Sequence, residues 1–410
     1  MQPVRAVENE STPVPLRRNR DFNLLWTGQV VSVVGTRVSG IAIPLLVLAH
    51  THSPAKAGIA EFAAALPLFV LTLPAGALVD RWNRKRLLIV CDAIRCVAYV
   101  TLAVAIAAGR ISFVHILVVV LVDGCGYVFF GVAERSALRH VVADDHLAAA
   151  LARNQARDYG ALLAGPPLGG LLYSLGRAVP FVFDAVSYAV SVVSLSFLRA
   201  RLQGEREATV PHLLREVRDG LAWFWREPFI RTTSLLVTGS DFVVNALWLV
   251  VIVLARERGA SAALVGGLFG FLGVGGLLGA FLAPRLAHRL SRRAVVVATM
   301  WLQAALVPLL FVPGAVTAGV VYGAMFLLHP TWNAVVGGYR IRATPDELLG
   351  RVQSVATLLS LGSVPFAFLV VGFLLQAFGT TPTVLLFAAV MAAVAVAAAV
   401  SPAIRAAPRV

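Results

Sequence analysis

Long apolar runs, each followed by a short polar segment, recur along almost the whole chain. About 20 mainly apolar residues are enough to cross the hydrocarbon core of a bilayer as an α-helix. The chain is 59% hydrophobic and 14% charged, whereas soluble domains carry roughly 25% charged residues. We therefore predict an all-α integral membrane protein with twelve transmembrane helices. The predicted spans lie near residues 22–49, 57–79, 87–109, 112–133, 150–174, 178–199, 230–255, 263–284, 294–312, 315–338, 348–376 and 380–403.

The basic residues alternate between the two sides of these spans. If the chain begins inside, 28 of the 35 Lys and Arg residues fall in inner segments and 5 in outer loops. Short cytoplasmic segments carry such an excess of Lys and Arg. We therefore expect a multi-pass protein of the bacterial cytoplasmic membrane with both termini in the cytoplasm. The net charge of +14 does not indicate nucleic-acid binding, because the arginines form short scattered clusters and no single basic face.

The longest polar interruption follows the sixth span and divides the chain into two halves. Its apolar residues recur at helical spacing between charged ones, which predicts an amphipathic helix at the inner membrane surface. These apolar residues are Leu214, Val217, Leu221, Phe224 and Trp225. The predicted parts are a cytoplasmic tail (1–21), an N-terminal six-helix bundle (22–199), a cytoplasmic linker (200–229), a C-terminal six-helix bundle (230–403) and a second tail (404–410).

The two halves contain similar segments about 200 residues apart. The charged loop that starts at Gly76 has a degenerate counterpart that starts at Gly279, and Asp144-Asp145-His146-Leu147 resembles Pro345-Asp346-Glu347-Leu348. Secondary transporters are often built from such repeats, with the substrate site at the interface between them. We therefore expect two bundles related by pseudo-two-fold symmetry.

Ionisable and polar residues inside the predicted spans are the candidate site. Such groups are costly in a bilayer and mark substrate or proton pathways. They are Arg37 (span 1), Asp123 (span 4), Asp241, Asn245 and Trp248 (span 7), and His329, Trp332 and Asn333 (span 10). We expect Arg37 to pair with Asp123, either for function or as a fixed structural ion pair, and Asp241 to meet His329. Asp123 or Asp241 would carry a proton, and Trp248 and Trp332 would contact an apolar substrate.

Further charged residues within the predicted spans include Asp92, Arg95, Glu61 and Asp184. Asp92 and Arg95 have the (i, i+3) spacing that places two side chains on one helix face, so we predict an ion pair between them. Glu61 and Asp184 fall within about two turns of the outer surface by the rise of an α-helix, and we expect them to reach water.

The loop between spans 2 and 3 resembles the signature loop of the major facilitator superfamily. The matching residues are Gly76, Asp80, Arg81, Arg84 and Lys85, with Asn83 in place of the usual second glycine. Asn tolerates a left-handed turn better than most residues. The resemblance implies a cytoplasmic latch in which Asp80 meets basic groups or a helix N-terminus when the inner gate shuts. A plain positive-inside loop would account for the basic residues but not for Gly76 and Asp80.

Span 5 contains Gly165-Pro166-Pro167-Leu168-Gly169-Gly170, which resembles a motif of antiporters in the same superfamily. Small residues let helices approach closely, and proline bends a membrane helix. The resemblance implies a pliant gating helix; the alternative is ordinary close packing. The pattern Arg18-Asn19-Arg20-Asp21-Phe22 with Trp26, Gly28 and Gln29 is similar to the branch that contains macrolide-efflux proteins and enterobactin exporters.

The resemblance implies that spans 1, 4, 7 and 10 line a central cavity and that the protein exports an amphipathic small molecule (a drug, antibiotic or siderophore-like metabolite) by proton antiport. The expected partners are the substrate, protons and the lipid bilayer, with no cofactor, metal or nucleic acid, and the expected state is a monomer. The alternatives are a proton-coupled symporter for uptake and a membrane sensor or scaffold that does not transport. An enzyme is disfavoured because no metal cluster, nucleophile motif or phosphate loop is present in the sequence.

Overall fold

The computed structural model describes residues 15–200, 202–203 and 221–407, and every regular element in this part of the chain is helical. The first half contains α1 (Arg20–Thr51), α2 (Pro54–Val79), α3 (Arg84–Ala107), α4 (Phe113–Val141), α5 (Asp144–Leu175) and α6 (Val179–Ser196). The second half contains α7 (Pro228–Glu257), α8 (Ala262–Arg289), α9 (Arg292–Leu306, continued by a 3₁₀ turn Val307–Phe311), the segmented α10, α11 (Asp346–Phe378), α12 (Thr380–Val400) and a last short helix, α13 (Pro402–Arg405).

Each of the twelve predicted spans corresponds to one helical segment, α1 to α12. Ten of the described helices are long and apolar enough to cross a membrane. The other two segments are α5, whose first half carries Arg153, Arg157 and Asp158, and α10, which is interrupted. Several helices begin at a serine whose side chain accepts a backbone N–H three residues on, as Ser53, Ser261 and Ser291 do. Such caps satisfy the free N–H groups of a first turn.

The tenth segment, α10, is broken where the sequence predicts one continuous helix. It consists of Ala315–Ala324, a short turn, His329–Trp332, a π-helical turn Asn333–Gly337, and Gly338–Ala343. Pro330 has no N–H to donate to a carbonyl of the preceding turn, and the backbone before it uses i→i−3 bonds such as His329 N to Phe326 O (3.2 Å). The break turns the side chains that follow it away from the direction that a continuous helix would give them.

Contacts between chain segments define two sides of the molecule. The termini side is the side on which Asn19 donates to the carbonyl of Val141 (2.7 Å) and the backbone N–H of Ala200 reaches Asp21 (2.8 Å). The far side is the opposite one, where the short loops between α1 and α2 and between α11 and α12 lie. Packing within each half involves α1 with α5 and α6, α3 with α4 and α6, α7 with α11, and α8 with α10.

The two halves touch along α2 with α11 and along α5 with α8, and the contact is closest toward the far side. There Gly58 of α2 faces Gly372 of α11, and Gly170 of α5 faces Gly266 of α8. In each pair, an ideal Cβ on one glycine would lie 2.8 Å from the Cα of the other. Nearby hydrogen bonds join the halves, from Ser53 Oγ to Gln376 Oε1 (2.8 Å) and from Ala263 N to Ser174 Oγ (2.9 Å). The far side is therefore closed.

Toward the termini side the two halves are less tightly joined. A gap of about 150 Å³ separates α2 from α11, lined by Leu68 and Thr72 on one helix and Gln353 and Thr357 on the other. Gly76 of α2 and Gly160 of α5 have open space beside them. Apart from neighbouring residues of the same helix, no described heavy atom lies within 4 Å of a Cβ built on either glycine. The structure thus has the far side shut and looser packing at the termini side.

The predicted linker helix falls only partly within the described residues, since Leu214 and Val217 lie outside them. Residues 221–226 are helical, as the spacing predicts. Phe224 is fully buried against Ile230 and Val352 of the C-terminal half, while Trp225 is exposed. This part of the linker therefore docks on the bundle through Phe224.

Candidate functional site

A cavity of about 380 Å³ lies between the two halves. Helices α1, α2 and α5 of the first half and α7, α8, α9, α10 and α11 of the second contribute to its wall. Five of the predicted site residues line it, together with one charged residue that was not predicted there. These six residues are Arg37, Asp241, Asn245, Trp248 and His329, and Glu61. Because both halves share this space, relative motion of the halves can open or close it.

A second cavity of about 280 Å³ lies next to the first, within the N-terminal half. Asp123, Ser39 and Tyr99 line it, and it shares Arg37 and Glu61 with the first cavity. The two cavities are therefore adjacent, with Glu61 and Arg37 at their junction.

Asp123 pairs with Arg95, so the predicted pair between Arg37 and Asp123 is wrong. Nε of Arg95 lies 2.8 Å from Oδ1 of Asp123, and Tyr188 Oη donates to the same oxygen at 3.0 Å. The side chain of Arg95 can reach Asp123 because it passes over Gly126 of α4, which has no side chain. A Cβ built on Gly126 would lie 2.6 Å from Cδ of Arg95. Among the described residues Arg37 has no ion-pair partner, and Gly165 of α5 packs against its Cβ.

Arg95 also contacts Asp92, Thr36 and Tyr188. Its Nη1 lies 3.4 Å from Oδ1 of Asp92, which is the contact that the (i, i+3) spacing predicts. Nη2 donates to Oγ1 of Thr36 at 3.2 Å, and the guanidinium lies 4.1 Å from the ring centroid of Tyr188. All three guanidinium nitrogens are therefore used inside the bundle, and this cluster ties α1, α3, α4 and α6 together.

Asp241 lines the main cavity and interacts with α11. Ser360 Oγ donates to Oδ2 of Asp241, and Asn245 Nδ2 donates to the main-chain carbonyl of Asp241 at 2.8 Å. The predicted contact between Asp241 and His329 is absent, because the side chain of Ser360 is the partner of the carboxylate and His329 lies beside Phe326. Among the described residues no cation lies within ion-pair distance of Asp241.

Two of the predicted residues on α10 do not line either cavity. Trp332 is 7% exposed and belongs to the apolar core, and Asn333 lies on an exposed surface at the start of the π-helical turn. The break before His329 explains why Trp332 and Asn333 do not line a cavity. It brings His329 to the main cavity and turns the residues that follow away from it. Trp248 does line the cavity, and its ring packs 3.9 Å (centroid to centroid) from that of Phe269.

Glu61 and Asp184 are not where the sequence suggests. Glu61 lies at the junction of the two cavities, one turn from the far-side contact at Gly58. Asp184 is completely buried, and its carboxyl group contacts Ser39 Oγ (2.5 Å) and Ser187 Oγ (3.1 Å). The expectation that both residues reach water rested on their distance from the ends of the predicted spans. It is wrong because neighbouring helices remain in contact up to their far-side ends.

The charged loop after α2 contacts its own half. Asp80 is 68% exposed and pairs with Arg84 at 3.3 Å, and Lys85 Nζ donates to the main-chain carbonyl of Leu198 at 2.7 Å. Arg81 lies in the turn after α2, and Gly76 has open space beside it. Asn83 has φ −68° and caps α3 through Arg86 N, so the expectation of a left-handed turn at this position is wrong.

The glycines of α5 pack against two different helices. Gly165 and Gly169 lie against α1, where a Cβ on Gly169 would be 3.0 Å from the Cα of Val38. Gly170 faces α8, and Pro166 lines the main cavity. The motif therefore brings α5 close to both α1 and the other half. Among the described residues, no group of His, Cys, Asp and Glu is arranged to hold a metal ion.

Two helical bundles that close on one side around a shared, partly polar cavity define a membrane transporter. The family described as transmembrane secretion effector matches residues 10–407, and the chain belongs to this family of the major facilitator superfamily.

Relatives and solved structures agree with this assignment. The multidrug efflux pump Tap of Mycolicibacterium fortuitum is 27% identical over 384 residues, which cover 88% of this chain and 91% of that protein. Macrolide efflux protein A of Streptococcus pyogenes is 23% identical over 55% of this chain and 57% of its own length. The crystal structure of a point mutant of the nucleoside transporter NupG aligns with a TM-score of 0.73 at 12% identity, over 92% of this chain and 99% of the other. That structural likeness shows the shared fold.

Proposed function

We propose that this protein exports amphipathic organic molecules that carry a basic group, in exchange for protons, across a bacterial cytoplasmic membrane. The observation that carries the proposal is the pair of carboxylates in the main cavity, Glu61 from the first half and Asp241 from the second. Among the described residues neither has an ion-pair partner. A carboxylate without an ion-pair partner in a membrane cavity is a candidate for binding either a proton or a positively charged ligand.

The apolar part of the cavity supports an amphipathic substrate. The wall that contains the two carboxylates also contains three aromatic rings and one branched aliphatic side chain. These belong to Trp248, Phe326, Phe368 and Leu162. Organic cations are attracted by the faces of aromatic rings and are stabilised by burial of their own apolar surface. A ligand with one basic nitrogen and several rings fits this combination.

The proposed direction rests on topology and on the relatives. The excess of arginine on the termini side supports a cytoplasmic location of that side. The far-side closure then corresponds to a state from which the cavity loads from the cytoplasm. Two relatives are named as efflux proteins. Asp241 is the proposed exchange carboxyl group, because a proton and a basic substrate cannot both neutralise it at once.

Everted membrane vesicles from a bacterial strain that lacks its own drug pumps provide the test. The probe is ethidium, a flat aromatic ion with a permanent positive charge, which stands in for a protonated basic substrate and whose fluorescence reports accumulation. When respiration acidifies the vesicle interior, vesicles with the wild-type chain should accumulate ethidium, and an uncoupler should release it. Asp241→Asn and Glu61→Gln should abolish this accumulation. Asp145→Asn, which changes an exposed carboxylate at the start of α5, is the matched control and should behave as wild type.

Two results would contradict the proposal. Loss of preloaded ethidium on acidification would indicate symport. Equal accumulation by wild type and Asp241→Asn across the pH range would show that this carboxyl group does not couple the two fluxes.

A further inference from the structure

The buried charges of the N-terminal half do not balance. Asp92 and Asp184 are 0% exposed and Asp123 is 16% exposed. Within the described part of the chain, these three carboxyl groups share the neighbourhood of one guanidinium, that of Arg95. The three nitrogens of that guanidinium contact Asp123, Asp92 and Thr36, and none of them lies within hydrogen-bond distance of Asp184. A buried carboxylate without a cation is strongly destabilising.

The contacts of Asp184 are satisfied if its carboxyl group is protonated. Ser39 Oγ donates to Oδ2 at 2.5 Å. Ser187 Oγ lies 2.7 Å from the main-chain carbonyl of Asp184 and 3.1 Å from Oδ1. A hydroxyl group has one hydrogen, so Ser187 donates to only one of these oxygens. If Ser187 donates to the closer oxygen, the main-chain carbonyl, its hydroxyl oxygen is free to accept a hydrogen from Oδ1 of Asp184. A protonated carboxyl group can donate that hydrogen, whereas a carboxylate cannot.

Other parts of the fold enforce this geometry. Gly35 of α1 lies so close to α6 that a Cβ there would be 2.9 Å from Cβ of Ser187, and it would contact the carboxyl group of Asp184 as well. The groups that face Asp184 are Arg95, Cys96 and Tyr99 from α3, Asp123 from α4 and Tyr188 from α6, while α1 contributes Ser39. Arg95 is therefore the cation that can stabilise the anion of Asp184 after its proton leaves.

A route connects Asp184 to the cavity. Ser39 lines the second cavity and is also the hydrogen-bond partner of Asp184. We propose that Asp184 is a proton-binding site of the N-terminal half, that it is protonated in the far-side-closed state, and that it exchanges its proton with the cavity through the hydroxyl group of Ser39. This inference rests on the proposed proton antiport and adds a proton site that does not touch the substrate.

The transfer changes only O–H bonds. The carboxyl group of Asp184 first rotates so that its O–H faces Ser39, and the hydroxyl hydrogen of Ser39 turns from Asp184 to the cavity. Asp184 then passes its proton to Oγ of Ser39, and Ser39 passes its own hydrogen to a water molecule in the cavity. The carboxyl group becomes an anion and the cavity water a hydronium ion, so the charge balances. Proton uptake follows the reverse path.

The first experiment is independent of transport. Infrared spectra of the purified chain in detergent should contain a C=O band of a buried protonated carboxyl group that disappears in Asp184→Asn and persists in Asp123→Asn. In Ser39→Ala, the shift of this band after transfer to D₂O should be slower than in wild type. A spectrum of Asp184→Asn that retains every protonated-carboxyl band of the wild type would overturn the inference, whatever the outcome of the transport assays.

The second experiment measures coupling in proteoliposomes with the membrane potential clamped at zero. Each coupled proton changes the limiting ethidium gradient by about tenfold per unit of pH gradient. Asp184→Asn should therefore lower the limiting gradient by about tenfold at one pH unit and retain ethidium exchange without a gradient. An unchanged limiting gradient would refute the inference. Failure of the wild type to accumulate ethidium would refute the proposed function instead, and the infrared result would still decide the protonation of Asp184.

Discussion

The contact between α5 and α8 at the far side gives a direct test of the conformational cycle. An ideal Cβ on Gly266 would lie 2.8 Å from the Cα of Gly170 and would press on the carbonyl of Pro166. Carbon atoms pack at about 3.5–4.0 Å, so Gly266→Ala requires the two helices to separate by roughly 1 Å. This separation is needed only in the state in which the far side is closed.

The size of the effect follows from the cost of overpacking. One extra methyl group in a closely packed site costs about 1–3 kcal/mol. Because the far-side-open state holds these helix ends apart, the cost falls on the closed state alone. The ratio of the open to the closed population should therefore rise by about 5- to 150-fold.

The matched control is the next residue along the same helix. A Cβ on Gly267 would meet no heavy atom within 4 Å. Gly267→Ala gains the same helix propensity as Gly266→Ala, about 1 kcal/mol, without the steric conflict. Any difference between the two variants thus reports the contact with α5.

The assay measures access to the cavity from the far side. A reporter cysteine replaces the cavity residue Asn245, in a background from which Cys91, Cys96 and Cys125 have been removed. A membrane-impermeant maleimide is then added on the side opposite the termini. Labelling should be faster in Gly266→Ala than in Gly267→Ala by a factor within the range above. Equal labelling rates in the two variants would refute the argument that this glycine pair closes the far side.

Three further variants test other parts of the structure. Arg95→Met leaves Asp92 and Asp123 without their cation. Thermal unfolding in detergent should show a free energy of unfolding lower by about 3–5 kcal/mol. Adding Asp123→Asn should restore part of this loss. Asn83→Ala removes the cap of α3 and should cost about 1 kcal/mol, and Asn83→Gly only a few tenths, in the same assay. Asp80→Asn should leave the unfolding temperature unchanged, because its ion pair is exposed, while it slows ethidium transport in vesicles.

The positions of the helices could be predicted from the sequence, because a backbone in a bilayer must satisfy its own hydrogen bonds and long apolar runs therefore become helices. The break in α10 could not be predicted from hydropathy. Its signal was Pro330, which directly follows His329 in an apolar segment. A proline in a membrane helix is compatible with both a kink and a local change of helix type. The direction in which the Trp332 side chain points therefore depends on packing that the sequence does not specify.

The partners of the intramembrane charges were less predictable than their locations. Arg37 and Arg95 are both arginines in spans near Asp123, and choosing between them requires the rotation of each helix about its axis. Gly126, three residues after Asp123, leaves the space that the stem of Arg95 occupies. That residue was the available signal, but a glycine in a membrane helix is equally consistent with contact between two backbones.

The two halves use their intramembrane charges differently, and this difference bears on how they could move. In the first half, Arg95 joins four helices through ion pairs and hydrogen bonds, and Arg157 joins α5 to α4 through Glu134 at 2.6 Å. In the second half, the cavity carboxylate of Asp241 is held by a hydroxyl group, and α10 is interrupted beside the cavity. Ion pairs resist separation in an apolar medium more than a single hydroxyl contact does. We therefore infer that the first half moves as one body during the cycle, and that local rearrangement around the substrate occurs at α7, α10 and α11.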